Sequence, residues 1–354
     1  MAERITTNDQ YVLEVNNLSK WYVQKKVVKK DGKVSKKQDI KAVDGVSFTL
    51  KKGEILGVIG ESGCGKSTLG RVLIYLEEPT GGQIKLFGES ATAMVRKDPL
   101  KFRRTCQMIF QNPFDTFDPR YTLRKILMSP LKLHNIGANE DERLKIVLDV
   151  LEKSGLRPAK EYIDRHPHEL SGGQLQRISI LRSMLLEPAF MVADEPVSML
   201  DVSIRADIIN MLQELVQEHH TSMVFISHDI ATTRYISDKV AVMYLGRVVE
   251  MGNTDEVLHN PQHPYTKVLI SNCASLNPLE QKEVIKVTGE PPTPIDNGPG
   301  CYFAPRCYRA CDKCFKEYPG PVDLGNGHWA SCYFANEKDE IAEKTIAKDI
   351  EGTK

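Results

Sequence analysis

Two glycine-rich stretches carry residue types suited to anion chemistry, and they stand 110 residues apart, beginning at Gly60 and Leu170. The first is Gly60-Glu61-Ser62-Gly63-Cys64-Gly65-Lys66-Ser67-Thr68. Glycines at 60, 63 and 65 let successive backbone N–H groups converge on phosphate oxygens, and a following helix adds partial positive charge at its N-terminus. Lys66 would bridge the β- and γ-phosphates of a nucleotide, and the Ser67 hydroxyl would ligate magnesium. The second stretch is Leu170-Ser171-Gly172-Gly173-Gln174. Ser171 is a plausible N-cap for a helix running on through Leu175-Gln176-Arg177-Ile178. Ser171 and the Gly172 and Gly173 amides then form a second anion-binding terminus. Within one chain that terminus would have no phosphate to bind.

Asp194 and Glu195 close the apolar run Phe190-Met191-Val192-Ala193. Adjacent carboxylates at the end of a buried strand are costly unless they serve a cation or a proton. Asp194 suits magnesium binding through water, and Glu195 suits the general base that polarises a water attacking the γ-phosphate. His228 follows the next apolar run, Met223-Val224-Phe225-Ile226, and is placed to contact that phosphate.

These groups need a parallel sheet to hold them. Glu54-Ile55-Leu56-Gly57-Val58-Ile59 is a mostly apolar run leading into glycine, as a buried parallel strand requires. Ser67 onward reads as a helix. Tyr11–Val15 and Ala42–Phe48 read as antiparallel strands, separated by a segment with seven lysines between Lys25 and Lys37. Asp31-Gly32 at its middle is a hairpin signal, and the charge would protect a solvated tip against edge pairing. Residues about 112–185 are rich in helical periodicity and are assigned to an inserted helical subdomain. Past Pro261 prolines and cysteines cluster, which predicts a separate small appendage on a semi-rigid linker. The expected division is a cassette over 1–260, a cysteine-bearing extension over 261–335 and a charged tail over 336–354.

Lys+Arg and Asp+Glu both number 47, so the formal net charge is zero, which argues against a general nucleic-acid binder. The polar stretch Met1–Gln10 lacks the apolar core of a secretory signal. No stretch approaches the roughly 18 apolar residues of a membrane span. A soluble protein whose membrane link runs through a partner is expected. Eight cysteines without an export signal point to a reducing cytoplasm.

Over residues 11–335 the chain resembles the ATPase subunits of oligopeptide/dipeptide ABC importers, and specifically the F-type member of a D/F pair. Beyond the phosphate loop and the Leu170–Gln174 signature peptide, the resemblance rests on four further stretches. These are Lys41-Ala42-Val43-Asp44-Gly45-Val46-Ser47-Phe48, Leu76-Glu77-Glu78-Pro79-Thr80-Gly81-Gly82, His263-Pro264-Tyr265-Thr266 and Gly289-Glu290-Pro291-Pro292. Cys64 is the F-type residue where the D-type partner usually has serine. The resemblance implies an α/β fold: a P-loop ABC ATPase core with antiparallel β and helical subdomains, plus a small cysteine-rich C-terminal domain. It implies that ATP and magnesium bind Tyr22 (on adenine, with Trp21 competing), Gly60, Ser62, Gly63, Cys64, Gly65, Lys66, Ser67 and Thr68. Gln111 would reach magnesium and the attacking water from a hinge, Asp201 would cross the dimer seam, and Ser171, Gly172, Gly173 and Gln174 would clamp the partner's γ-phosphate. The implied catalytic set is Glu195, His228, Gln111 and Lys66, with Ser67, Gln111 and Asp194 at magnesium.

The implied assembly is peripheral on the cytoplasmic face of the membrane. A second ATPase subunit (D-type or another copy) and two permeases belong to it, fed by an extracellular peptide-binding protein. Relatives in this clade also serve nickel or oligosaccharides. The segment Phe114–Arg120, at the expected permease contact, departs from the usual small-residue version. A soluble ATPase acting on ribosomes or DNA would usually carry two cassettes or a long coiled-coil insertion, and neither is present. A non-catalytic scaffold would not need Lys66, Asp194, Glu195 and His228 together.

Cys301, Cys307, Cys314 and Cys332 are separated by five, six and seventeen residues. Zinc ribbons favour paired C-x-x-C knuckles, and Cys311/Cys314 is the one such pair here. The resemblance implies a [4Fe–4S] cluster on the four cysteines, with zinc or unliganded thiols as alternatives. Stapling a domain too small for its own core would be role enough. Cys311 and His328 are possible substitute ligands, His328 more naturally a capping or packing residue. Cys64, Cys106 and Cys273 read as buried small side chains.

Overall fold

Apolar runs without polar alternation become strands covered on both faces. The computed structural model describes residues 11–23, 39–272, 284–287, 289–290, 292, 295 and 297–339. The lysine-rich segment, Cys273 and the tail beyond Asp339 lie outside the described residues.

Among the described residues, β1 (Tyr11–Val23), β2 (Asp39–Lys51), β4 (Gly81–Leu86) and β5 (Glu89–Ser90) form a sheet in the order β2-β1-β4-β5. Between β2 and β4 comes β3 (Ile55–Ile59), whose five residues are all buried. Further along are β6 (Cys106–Ile109), β7 (Phe190–Asp194), β8 (Ser222–Ile226), β9 (Lys239–Tyr244) and β10 (Arg247–Asn253). The last two strands are β11 (Val322–Gly325) and β12 (His328–Ala330). The chain falls into two compact units, residues 1–14, 49–55 and 84–227, and residues 15–48, 56–83 and 228–354.

In the first unit β6, β7 and β8 run parallel, with Cys106 opposite Phe190 and Phe190 opposite Ser222. Every residue of β7 and β8 is buried. The helical segment comprises Leu123–Leu133, Glu140–Lys153, Ala159–Tyr162 and Gly172–Met184. Leu127 and Leu131, and likewise Val147 and Leu151, stand four apart and share one apolar cluster with Ile178. Asn139 caps the second of these helices by accepting from the Glu142 amide at 2.9 Å, with Glu140, Asp141 and Glu142 placing negative charge in its first turn.

In the second unit the strand order is β11-β12-β10-β9-β3. Leu56 of β3 pairs parallel with Lys239 of β9, whereas β9, β10, β12 and β11 are antiparallel in turn. The cysteine region therefore does not stand apart on a linker. Its β12 pairs with β10, Glu250 opposite Ala330, and its Phe303 packs with Tyr244 and Tyr265. A segment too short for its own core has completed one with its neighbour.

Glu250 locks that junction. It is fully buried, and Oε1 accepts from the Gln262 amide (2.7 Å) and faces His328 Nε2 (2.8 Å), while Oε2 accepts from the His263 amide (2.8 Å). His328 is thus engaged in packing β12 onto β10. Glu250→Ala would strand the buried His263 amide and the part-buried Gln262 amide and should destabilise the protein by about 3–5 kcal/mol. Glu250→Gln keeps one accepting oxygen, so it leaves only one of the two amides without its partner and should cost less. Urea midpoints of the two variants check this, and equal midpoints would contradict it.

Candidate functional site

The expected site residues divide between the units. Tyr22, the phosphate loop and His228 lie in the second; Gln111, the signature peptide, Asp194, Glu195 and Asp201 lie in the first.

The phosphate loop is built by β3 ending at Ile59 and a helix beginning at Lys66. Gly60, Gly63 and Gly65 all have φ in the left-handed half of the map, at 154°, 77° and 106°. At Gly65 a Cβ would lie 2.0 Å from the Ala42 carbonyl oxygen, so this position admits hydrogen alone. Lys66 is buried, and its ammonium donates to the carbonyls of Gly60 (2.7 Å) and Glu61 (3.0 Å). A phosphate would compete for that same ammonium. Cys64 is buried beside it, and desolvation pushes its thiol up despite the Lys66 charge. The Cys64 carbonyl accepts from the Gly246 amide at 2.8 Å, and the Gly246 carbonyl from the Asp44 amide at 2.8 Å, so the turn between β9 and β10 supports the loop.

Tyr22 and Trp21 are both partly exposed, but they face different neighbours. The Tyr22 hydroxyl bonds the Glu77 carboxylate and reaches the Thr68 side chain on the phosphate-loop helix. Burial, then the Glu77 hydrogen bond, pushes its phenol up. Trp21 instead stacks under the Lys41 ammonium, 5.0 Å from its ring centre. Between the two aromatics, Tyr22 is the one adjoining the loop. His228 precedes the helix Ile230–Ile236, whose N-cap Asp229 accepts from the Ala231 and Thr232 amides.

In the first unit Glu195 follows β7 with φ 46°, a left-handed conformation uncommon for a non-glycine residue. Its amide donates to the Ile226 carbonyl (2.9 Å), and its carbonyl accepts from the Ser198 hydroxyl (3.1 Å). Its Oε2 accepts from Gln111 Nε2 at 2.9 Å. Gln111, just beyond β6, and Glu195, just beyond β7, meet because those strands are adjacent and parallel. Asp194, the last residue of β7, is buried.

The signature peptide forms a capping box. Ser171 Oγ accepts from the Gln174 amide (3.3 Å), and Gln174 Oε1 accepts from the Ser171 amide (3.0 Å). Gly173 sits where a Cβ would meet Ile204 Cγ2 at 2.7 Å, so its helix and the helix Val202–His219 approach closely there. Asp201 is the N-cap residue of the latter and is exposed.

Cys301, Cys307, Cys314 and Cys332 line one cavity together with Phe303 and His263. Burial is the first cause that pushes all four thiols up, Cys307 to about 12 and Cys332 to about 11, and the nearby Cys301 and Cys314 thiols add to the rise at both of these. Cys311 is exposed, with Sγ 3.6 Å from that of Cys314. Among the described residues no group of three or more His, Cys, Asp or Glu is arranged to hold a metal ion.

Glu61 and Arg306 have no role legible from spacing in the sequence. Arg306 forms a two-pronged ion pair with Glu61, Nη1 to Oε2 at 2.8 Å and Nη2 to Oε1 at 3.0 Å. The pair is separated by 245 residues, and no local pattern announces it.

Residues 43–198 match the ABC transporter family, and residues 249–314 match the oligopeptide/dipeptide transporter C-terminal region. The chain is 45% identical over 322 residues to the dipeptide transport ATP-binding protein DppF of Haemophilus influenzae, covering 91% of this chain and 96% of that one. It is 42% identical over 334 residues to the oligopeptide transport ATP-binding protein AppF of Bacillus subtilis, covering 92% and 98%. A solved dimeric ATP-binding cassette, in a post-hydrolysis state bound to ADP and Pi, superposes with a TM-score of 0.59 at 26% identity, covering 68% of this chain and 98% of that one. With relatives of this identity along nearly its whole length, the chain belongs to the ATP-binding proteins of the dipeptide and oligopeptide ABC transporters.

Proposed function

We propose that this protein hydrolyses ATP to drive import of dipeptides or oligopeptides through an ABC transporter. The observation that carries the reading is a chain with two glycine-rich helix starts, one at Lys66 and one capped by Ser171, each of which would bind an anion. A homologous chain of the same design would supply what each terminus lacks. Hydrolysis splits ATP and water into ADP and phosphate, and Glu195 would take the water proton while Gln111 holds its carboxylate. Lys66 would neutralise phosphate charge, and His228 would sense the γ-phosphate. Ser67, Gln111 and Asp194 would hold magnesium, which supplies charge neutralisation at the β- and γ-phosphates.

The partners on this reading are a second ATPase subunit, D-type or a second copy, and two permeases that place the protein on the cytoplasmic face of the membrane. Among the described residues no helix is long and apolar enough to cross a membrane. Cys301, Cys307, Cys314 and Cys332 would hold the [4Fe–4S] cluster, supported by four thiols on one cavity. The cluster would staple the region that packs on β10, and an absorption spectrum after anaerobic purification tests for it.

Transport itself is tested by isolating the protein from membranes. It should come away with two hydrophobic subunits, and the assembly in proteoliposomes should take up labelled dipeptide only with ATP present. Isolation free of membrane subunits would overturn the transport reading.

A further inference from the structure

Glycine-rich loops lose much conformational freedom on ordering, so something must hold this one in register. Glu61 is its anchored corner. The Glu61 amide donates to the Tyr265 hydroxyl (2.8 Å), its carbonyl accepts from Lys66, and its carboxylate takes both prongs of Arg306. The Arg306 side chain is 10% exposed and that of Glu61 28%, so the pair is shielded from much of the screening that weakens surface pairs.

Arg306 lies in the short segment from Cys301 to Cys307, and that segment braces the loop at a second point. The Tyr302 hydroxyl donates to Asp44 Oδ2 (2.8 Å), which also pairs with Arg247 (2.8 Å). Asp44 in turn hydrogen-bonds Gly246, and Gly246 hydrogen-bonds the Cys64 carbonyl. Phe303, between these two residues, packs against Tyr244 and Tyr265, with ring centres 5.3 Å away in each case.

We propose that Arg306 is a positioning residue for nucleotide binding, fixing Glu61 so that the phosphate loop is ordered before ATP arrives. The proposal rests on the ATPase reading above. Arg306 belongs to the cysteine region, so the extension acts on the loop rather than merely decorating the cassette. Its role is in binding: the groups expected at the attacking water, Glu195 and Gln111, have their own hydrogen bonds. Loss of Arg306 should therefore weaken ATP binding and leave the saturated rate in place, the pattern of lost uniform binding.

The test uses the full-length chain for ATP affinity by calorimetry and the assembled transporter for kcat and KM. Arg306→Gln should raise the Kd and KM for ATP about tenfold, equivalent to about 1.4 kcal/mol of binding, with kcat retained. Arg306→Lys keeps the charge but not the fork and should fall between. Glu61→Gln should match Arg306→Gln, and the double variant should be no worse than either, because one pair is lost in all three. An unchanged Kd in Arg306→Gln, or effects that multiply in the double variant, would overturn the assignment. A fall in kcat with Kd constant would overturn it too. If Arg306→Gln fails to fold, Glu61→Gln and Arg306→Lys carry the same comparison. Wild-type protein that binds no ATP would sink the ATPase reading itself; wild-type binding matched by Arg306→Gln sinks the role of Arg306 alone.

Discussion

Glu195→Gln should lower the rate of phosphate release at saturating ATP by about 10²–10⁴-fold, the contribution of a positioned general base. The substitution changes charge and little else. The backbone at 195 is held by the Ile226 carbonyl and the Ser198 hydroxyl, neither of which involves the carboxylate. A glutamine amide oxygen can still accept from Gln111. Binding of ATP should persist, because Lys66 and the loop amides are untouched, and the ATP-bound pair of subunits should outlive its normal lifetime. Phosphate release and light scattering with the partner subunit present measure the two effects. Near-normal turnover would remove Glu195 from the chemistry.

Gly65→Ala should abolish ATP binding and destabilise the protein by roughly 2–5 kcal/mol, summing strain at a left-handed backbone position and overpacking. The new Cβ would lie 2.0 Å from the Ala42 carbonyl oxygen and 3.0 Å from Met243 Cε. A backbone carbonyl cannot rotate away as a side chain can. Gly63→Ala is the internal comparison. Its φ is 77°, yet a Cβ there meets nothing within 4 Å, so only the conformational cost of about 1 kcal/mol remains. Thermal melting and calorimetric ATP titration of both variants separate crowding from backbone preference. Equal losses would mean that the approach of Ala42 is not what makes glycine necessary at 65.

The elements legible in the sequence are those whose cause is local. The run Phe190–Ala193 became β7 because four consecutive apolar residues suit a strand covered on both faces. Ser171 and Gln174 make a capping box because they are three residues apart at a helix start. The glycine loop between β3 and its helix is similarly written in nine consecutive residues. The expected separation of the cysteine region failed because proline and cysteine clustering marks a change in composition, not a break in packing. What it could not signal was a strand, β12, pairing with β10 some eighty residues earlier, and a buried Glu250 collecting two amides and His328.

Residue types and short spacings were enough to place the glycine loop between β3 and its helix, the carboxylate pair at the end of β7 and the helix start at Ser171, since each depends on backbone conformation within a few residues. Only the folded chain decided that Tyr22 rather than Trp21 adjoins Thr68, that Gln111 meets Glu195, and that Arg306 grips Glu61. Those pairings join residues from 46 to 245 positions apart. Hydrogen bonds and ion pairs at such separations depend on strand order and core packing, which bring the partners together and leave no periodic trace along the chain.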